Sequence, residues 1–533
     1  MRTTNRITEK LPQITLITAS VFLKWLTEAV DEIHEELGKN FIFKIYFLND
    51  LDSGKVPENE LINSIFKSDI MLLDIRGNSP TVEILVNTYK KMEKENPNLF
   101  ETKQIIALVG GNSEIRRLTK MGSFQARKIP SPNTEGYSID EIPDLTNAVR
   151  FGQKMTNFLG FLGKVFPIKT LRHARYWVMM MDYWVYGLGG VAVNHKNMLL
   201  FLLKHYLGQK NLQVEKPKKI PPYGIYDPLL SEYFQTPDEY FQKTNYDPSK
   251  QTVGIFYYGG LYFEQSLPIV EEFMINLSEF NILPIFSDVM TNVEAYESLF
   301  FKNENCLVSA VINLQYFQLN GGPFGGEAET TLDLFNKMDI PQFNPIIQYD
   351  ITLEEYKKSK EGIFPINQVI AIVMPELDGR LEMTTVGLLE DLGFSEKIHS
   401  NILEVRPLKE NVSFYCERIK KWLQLRIKKN KEKKIAIIVY NYPPGEDKIG
   451  NAAYLDVSES IKQLMSKLHN EGYDIGDFTA EQNLMELLVN YGVVNLPKYT
   501  KVKDYKGAEL SVQEYNNYKN RSTVLKTKPK ISI

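Results

Sequence analysis

Short apolar runs that alternate with helix-length segments constrain this chain more than any other feature. QITLITAS (13–20), FIFKIYFL (41–48), DIMLLDI (69–75) and QIIALVGG (104–111) each have the length of a strand. Between them, VFLKWLTEAVDEIHEEL and TVEILVNTYKKM carry apolar residues at helical spacing. Strands alternating with helices predict a parallel, doubly wound sheet. The expected fold class is α/β: several Rossmann-like or flavodoxin-like parallel-sheet units with a helical insert. Asp74 ends the third run, where a cleft residue can stand, although a turn residue at a strand end is the more common reading.

The first α/β domain is expected over residues 1–139. A helical insert follows over 140–215, where RHARYWVMMMDYWVYGLGGVAVNHKNMLLFLLKHYL dominates. KPKKIPPYGIYDP (216–228) reads as a linker or crossing loop. A second α/β domain, 216–400, contains TVGIFYYGG, NILPIFSD and CLVSAVINLQYFQL. Its NGGPFGGEAETTLDLFNKM is a glycine-rich loop entering a helix, with Thr330 or Thr331 as a candidate N-cap. A third α/β unit is expected over 401–500, opened by the strand KIAIIVYNYPPGEDKIG and followed by a helix in VSESIKQLMSKLHNEGYDIG. The polar stretch 501–533 reads as a poorly ordered tail.

Within the second domain, QVIAIVMPELDG (368–379) reads as a buried strand that Pro375 ends. Glu376 and Asp378 then stand just outside a strand's carboxyl end, where open α/β sheets bind ligands. In extended chain the two side chains face the same way. Paired carboxylates accept protons or hold a divalent cation through oxygen, and capping of a following turn is an equally weighted reading.

Other chemistries find less support. Nothing matches GxxxxGK[ST], so no nucleotide site is read in this chain. The NGGPFGG glycines let backbone approach a flat or anionic ligand, or simply make a tight turn. The six histidines, His34, His173, His195, His205, His399 and His469, form no pair with zinc spacing. A net charge of -4 over 533 residues makes no electrostatic case for nucleic acid. Two distant cysteines, Cys306 and Cys416, fit a reducing compartment. With no apolar run of about 18 residues and no leader-like start, the expected location is cytoplasmic, with no membrane span.

LQYFQLNGGPFGG, MPELDGRLE and YNYPPGEDKIGNAAYLDVSESIKQLMSKLHNEGYDIG together resemble the large subunit of aerobic-type cobaltochelatase and the related H subunit of magnesium chelatase. GGVAVNHKNMLLFLLKHY and IPPYGIYDP resemble two earlier motifs of that family. The resemblance runs across roughly residues 10–480. It implies insertion of a divalent metal, Co²⁺ or Mg²⁺, into a tetrapyrrole macrocycle, with ATP hydrolysed by partner AAA+ subunits. It implies a role for Glu376 as proton acceptor or metal relay, assisted by Asp378. It also implies a macrocycle site that includes Asn194, His195, Gly321, Gly322, Phe324, Gly325 and Tyr442. The chain departs from the family at Val193, where an acidic residue is common, and at Asp227, where histidine is. Family large subunits are also much longer, which implies a separate polypeptide carrying the C-terminal half, a fragment, or a shortened relative. The alternative reading is a non-enzymatic tetrapyrrole carrier. An unrelated sugar-nucleotide enzyme explains the sheets but not the PELDG and NYPP segments.

Overall fold

In the computed structural model the described residues are 11–128, 169–487 and 511–521, apart from short breaks at 21–22, 76–77, 110–111, 323–324, 361, 397, 399, 441–449, 451, 453, 480–481 and 485. The chain divides into two compact units, 1–420 and 421–533.

The first unit holds two doubly wound sheets, and the α/β expectation is met. In the first, β1 (Gln13–Thr18), β2 (Ile42–Phe47), β3 (Ile70–Asp74) and β4 (Gln104–Ala107) run parallel in the order β2-β1-β3-β4. A small antiparallel hairpin, β5 (Lys120–Met121) and β6 (Phe124–Gln125), extends the β4 edge. Every residue of β1 and β3 is buried, which explains their continuous apolar runs. Helix α1 (Lys24–Leu37) joins β1 to β2, and α2 (Pro80–Glu95) joins β3 to β4.

The expected helical insert is a pair, α3 (Lys169–Leu188) and α4 (Val193–Tyr206). The pair shares one hydrophobic core with α1 and the first sheet, in which Trp184, Met198 and Leu202 meet Ile14, Phe43 and Leu72. Trp177 donates its indole N–H to the Ala107 carbonyl at 2.8 Å. The pair therefore completes the first sheet's core. Part of the expected insert, 140–168, lies outside the described residues.

The second sheet has the order β12-β11-β9-β10-β7-β8, with β7 (Tyr223–Asp227), β8 (Glu232–Phe234), β9 (Thr252–Tyr258), β10 (Asn281–Ser287), β11 (Ala310–Asn313) and β12 (Gln342–Phe343). Strands β12, β11, β9 and β10 are parallel, and β7 and β8 are antiparallel additions. The stretch 216–228 is thus not all linker, because it supplies β7. Helix α5 (Phe263–Asn276) crosses from β9 to β10, while β11 lies on the other side of β9. The strand order reverses between β9 and β11. A third sheet pairs β13 (Ile346–Thr352) with the long hairpin β14 (Thr385–Ser395) and β15 (Ser400–Pro407).

Three local expectations are corrected. The helix Ala328–Met338, α6, starts after Glu327, which makes no side-chain capping bond, so Thr330 and Thr331 lie inside it. Residues 368–379 form no strand: 365–377 is one continuous helix, α7, with a π-helical middle at Val369–Val373. Its apolar run has strand composition, but tertiary packing overrides that local preference. Pro365 starts the helix, where a missing N–H costs nothing. Pro375 leaves carbonyls one turn back without a helical donor. Other groups take them up: the Ile370 carbonyl accepts from the Phe317 N–H at 2.6 Å, and the Ala371 carbonyl from Asn344 Nδ2 at 3.3 Å. Third, residues 434–440 join no sheet among the described residues.

In the second unit, Lys421–Ile427 ends helix α8 (Lys409–Ile427), and α9 (Val457–Asn470) is capped by Asp456, whose side chain accepts from the Glu459 N–H.

Candidate functional site

The switch point between β9 and β11 gathers three motifs. After β11, residues 314–319 turn across the carboxyl ends of both strands. The Tyr316 N–H donates to the Tyr258 hydroxyl at 2.7 Å, and Gln315 Nε2 donates to the carbonyls of Tyr257 and Ser287. Helix α7 packs over this turn, with Ala371 buried against Tyr258, Tyr316 and Ile346.

Asp378 and Arg380 lock the assembly from below. Both side chains are 1% exposed and form an ion pair at 3.1 Å. Asp378 Oδ2 accepts from the Leu319 N–H at 2.7 Å. Arg380 donates to the carbonyls of Gln315 and Phe317 and to Asn344 Oδ1. Burial pushes the Asp378 carboxyl above its ordinary range, against the opposing pull of Arg380 and the Leu319 N–H. Arg380 was not singled out from the sequence. Its signal is present in LDGR, where a cation two residues after an acid can close a tight loop.

Glu376 is placed differently. It is exposed on α7, whereas Asp378 is buried, so the two carboxylates do not face one side. A helical turn rotates residues two apart by about 200°, while extended chain returns them to the same face. Beside Glu376 runs an exposed apolar stripe, Ile366, Val369, Val373 and Leu377, at helical spacing and 44–65% exposed.

The glycine loop is tight. Gly321 and Gly322 have φ of 75° and 54°. A Cβ on Gly321 would stand 2.2 Å from the Gly325 carbonyl oxygen, and one on Gly322 would stand 3.0 Å from Val289 Cβ. Gly325 also has positive φ, but open space lies around it. Phe324 and Tyr442 lie outside the described residues. Asp378 ties this loop to α7 through Leu319, two residues before Gly321.

Asn194 and His195 stand apart from this assembly, inside the α3–α4 pair. Both Asn194 side-chain atoms bond the backbone of Lys218, at 2.8 and 3.0 Å, so the residue anchors the crossing segment. His195 is 1% exposed and stands edge-on to Trp184 at 5.6 Å. Burial pushes its imidazole down to about 3, which keeps it neutral. Asp227 ends β7, accepts from the N–H groups of Leu229 and Leu230, and receives the Tyr240 hydroxyl at 2.8 Å. Asp74 accepts from the Thr18 hydroxyl at 2.8 Å. Among the described residues no cluster of three metal-ligating side chains occurs, and no helix is long and apolar enough to cross a membrane.

A carboxyl that the sequence did not flag lies where the two sheets' elements meet. Glu264, in the first turn of α5, is 6% exposed, and no hydrogen bond of ordinary geometry reaches either oxygen. Burial, then the Glu28 carboxylate, push its acid constant up to about 9, against weaker pulls from Lys24 and the Trp25 N–H.

An exposed carboxylate thus stands beside a buried ion pair at the switch point of an α/β sheet, the place where open α/β folds bind ligands. The family model for CobN/magnesium chelatase matches residues 181–528, and the chain belongs to that family. The protein MJ0908 of Methanocaldococcus jannaschii is 28% identical over 311 residues, covering 56% of this chain and 25% of its own length. The magnesium-chelatase H subunit of Chlorobaculum parvum is 24% identical over 429 residues, covering 75% of this chain and 31% of its own length. An aerobic cobaltochelatase CobN subunit from Sinorhizobium is 26% identical over 141 residues, covering 26% and 11%. The chain thus spans a third or less of these relatives.

Proposed function

We propose that this chain is the macrocycle-binding part of an ATP-dependent metal chelatase that inserts Co²⁺ or Mg²⁺ into a tetrapyrrole. AAA+ partners hydrolyse the ATP. The reading is carried by one observation: Glu376 is exposed at the end of the apolar stripe of α7, on a segment held rigid by Asp378 and Arg380. A tetrapyrrole is flat and apolar, and the stripe offers it an apolar wall. Insertion displaces two pyrrole protons, so a carboxylate beside the ring serves as proton acceptor, and its oxygens can pass on a hard or borderline cation. Asp378 is the positioning group beneath it. Asn194 and His195 support the cavity indirectly by fixing the helix pair and the crossing segment.

Glu376→Gln is expected to lower insertion by about 10²-fold or more with the complete partner set, the usual scale for removing a positioned acid–base group. Macrocycle affinity stays within a few-fold. Full insertion activity in that variant defeats the assignment. The alternative is a tetrapyrrole carrier. A chain that binds macrocycle, yet supports no insertion with every partner present, is that carrier.

A further inference from the structure

The β4 edge of the first sheet carries a pocket that the α7 site does not use. Its walls are the second half of α2, the short helices Pro97–Thr102 and Ser113–Leu118, strand β4 and the β5–β6 hairpin. Helix α7 packs over the second sheet, so the two places share no residue. The cavity holds about 210 Å³. A water takes ~30 Å³ of the liquid, and pockets for drug-sized ligands begin near ~300 Å³. One ring with a small substituent therefore fits, and a tetrapyrrole does not.

The lining says what chemistry that ring carries. Val86, Phe100 and Ile105 make an apolar wall. Tyr89 stands among them, 2% exposed, and among the described residues its hydroxyl has no hydrogen-bond partner, although its oxygen is not sealed from solvent. Burial alone raises its acid constant, so it keeps its proton and is a donor. Four cations, Lys90, Arg117, Lys120 and Arg127, line the cavity against two carboxylates, Glu93 and Glu114. Glu93 is spent on Arg127 through two bonds of 2.7 Å. Arg117 keeps only a 3.9 Å contact with Glu114. The Lys120 ammonium is buried, donates to the carbonyls of Glu101 and Lys103 at 2.8 and 3.1 Å, and stands 3.5 Å from the Glu101 carboxylate. Burial pulls that ammonium below its ordinary range, against the Glu101 carboxylate. Even with Glu101 counted, cations outnumber carboxylates around the cavity, and a negative charge is the one it favours.

We infer that this pocket is a binding site for a small aromatic carboxylate, whose ring lies against Phe100, Val86 and Ile105 and whose carboxylate accepts from the Tyr89 hydroxyl and the Arg117 guanidinium. A monoanion suits these walls better than a phosphate, because a second charge costs more to strip of water beside apolar side chains. Arginine also matches the planar carboxylate with two parallel donors. The site rests neither on the family nor on the role of Glu376.

The test titrates the full chain by calorimetry with benzoate, and with benzamidine, a cation of the same shape. Benzoate is expected to bind with a Kd of about 0.1–1 mM, the scale for so few non-hydrogen atoms. Benzamidine binds about tenfold more weakly or worse, because the cavity's charge opposes it. Tyr89→Phe removes only a hydroxyl that no described residue holds, so it melts with the parent, yet it binds benzoate about tenfold more weakly, the loss of one hydrogen bond to a charged group. Arg117→Gln, at a half-exposed side chain, folds as the parent does and weakens benzoate by about fivefold or more. The inference is overturned by three results: no saturable benzoate binding, equal affinity for benzamidine, or either variant binding benzoate as the parent does. No metal or macrocycle is present, so failure here is separate from failure of the chelatase reading.

Discussion

Glu376 and Asp378 stand two residues apart and do opposite physical work. Asp378 is half of a buried ion pair whose partner also holds two backbone carbonyls. Breaking such a pair from one side leaves an uncompensated charge, so Asp378→Ala is expected to lower unfolding free energy by about 3–5 kcal/mol. Glu376→Gln, on an exposed helix face, should stay within about 0.5 kcal/mol of the parent. Denaturant titrations of both variants check the division, and equal losses would overturn it. Glu264 makes a pH prediction. Its folded-state acid constant lies near 9, above its ordinary value, so the folded state holds a proton that the unfolded chain releases. Below about pH 4.5 both states are protonated and nothing is lost. From there towards pH 9 stability falls, by at most about 1.4 kcal/mol per pH unit. Glu264→Gln should remove that slope, seen as a melting temperature that no longer declines relative to the parent over this range. Parallel declines in both proteins would place the effect elsewhere.

Among the elements, the glycine loop and α7 act as one piece. Gly321 is closed in by the Gly325 carbonyl, whereas Gly325 faces open space. Gly321→Ala therefore meets both a forbidden contact and a left-handed backbone, and is expected to cost about 2–3 kcal/mol. Gly325→Ala meets only the backbone term, about 1 kcal/mol. Thermal melts of the two variants separate steric closure from simple turn preference, and equal costs would refute the closed loop. Helix α7 was unreadable from composition, since VIAIV is as good a strand as a buried helix face. The clue is Pro375, which breaks both structures. Only the donors Phe317 and Asn344, both far along the chain from the carbonyls they reach, make the helix tolerable.

At the scale of the molecule, the first unit carries the two doubly wound sheets and the α7 assembly, and in the second the apolar run 434–440 joins no sheet among the described residues. The full chain is expected to bind a flat tetrapyrrole in the micromolar range, read by the macrocycle's own absorbance. Trp177 and Trp184 are buried in the helix pair and are poor reporters of α7. Saturable binding of a hydrogenobyrinate-type or a protoporphyrin-type ring names the substrate branch. Binding of neither shows that the site needs sequence that the longer relatives carry and the matched stretch does not.

The amino-acid sequence determined the parallel sheets, because continuous apolar runs between amphipathic helices have few other ways to be buried. It also determined the family, through the NGGPFGG, PELDG and NYPP segments. It left α7, the burial of Asp378 with Arg380, the interior place of His195 and the exposure of residues 434–440 undecided. Each of these depends on what lies beside the residue in space, distant along the chain. Local propensity reads only neighbours, whereas a buried charge, a freed carbonyl or an open strand edge is settled by what tertiary packing sets beside it.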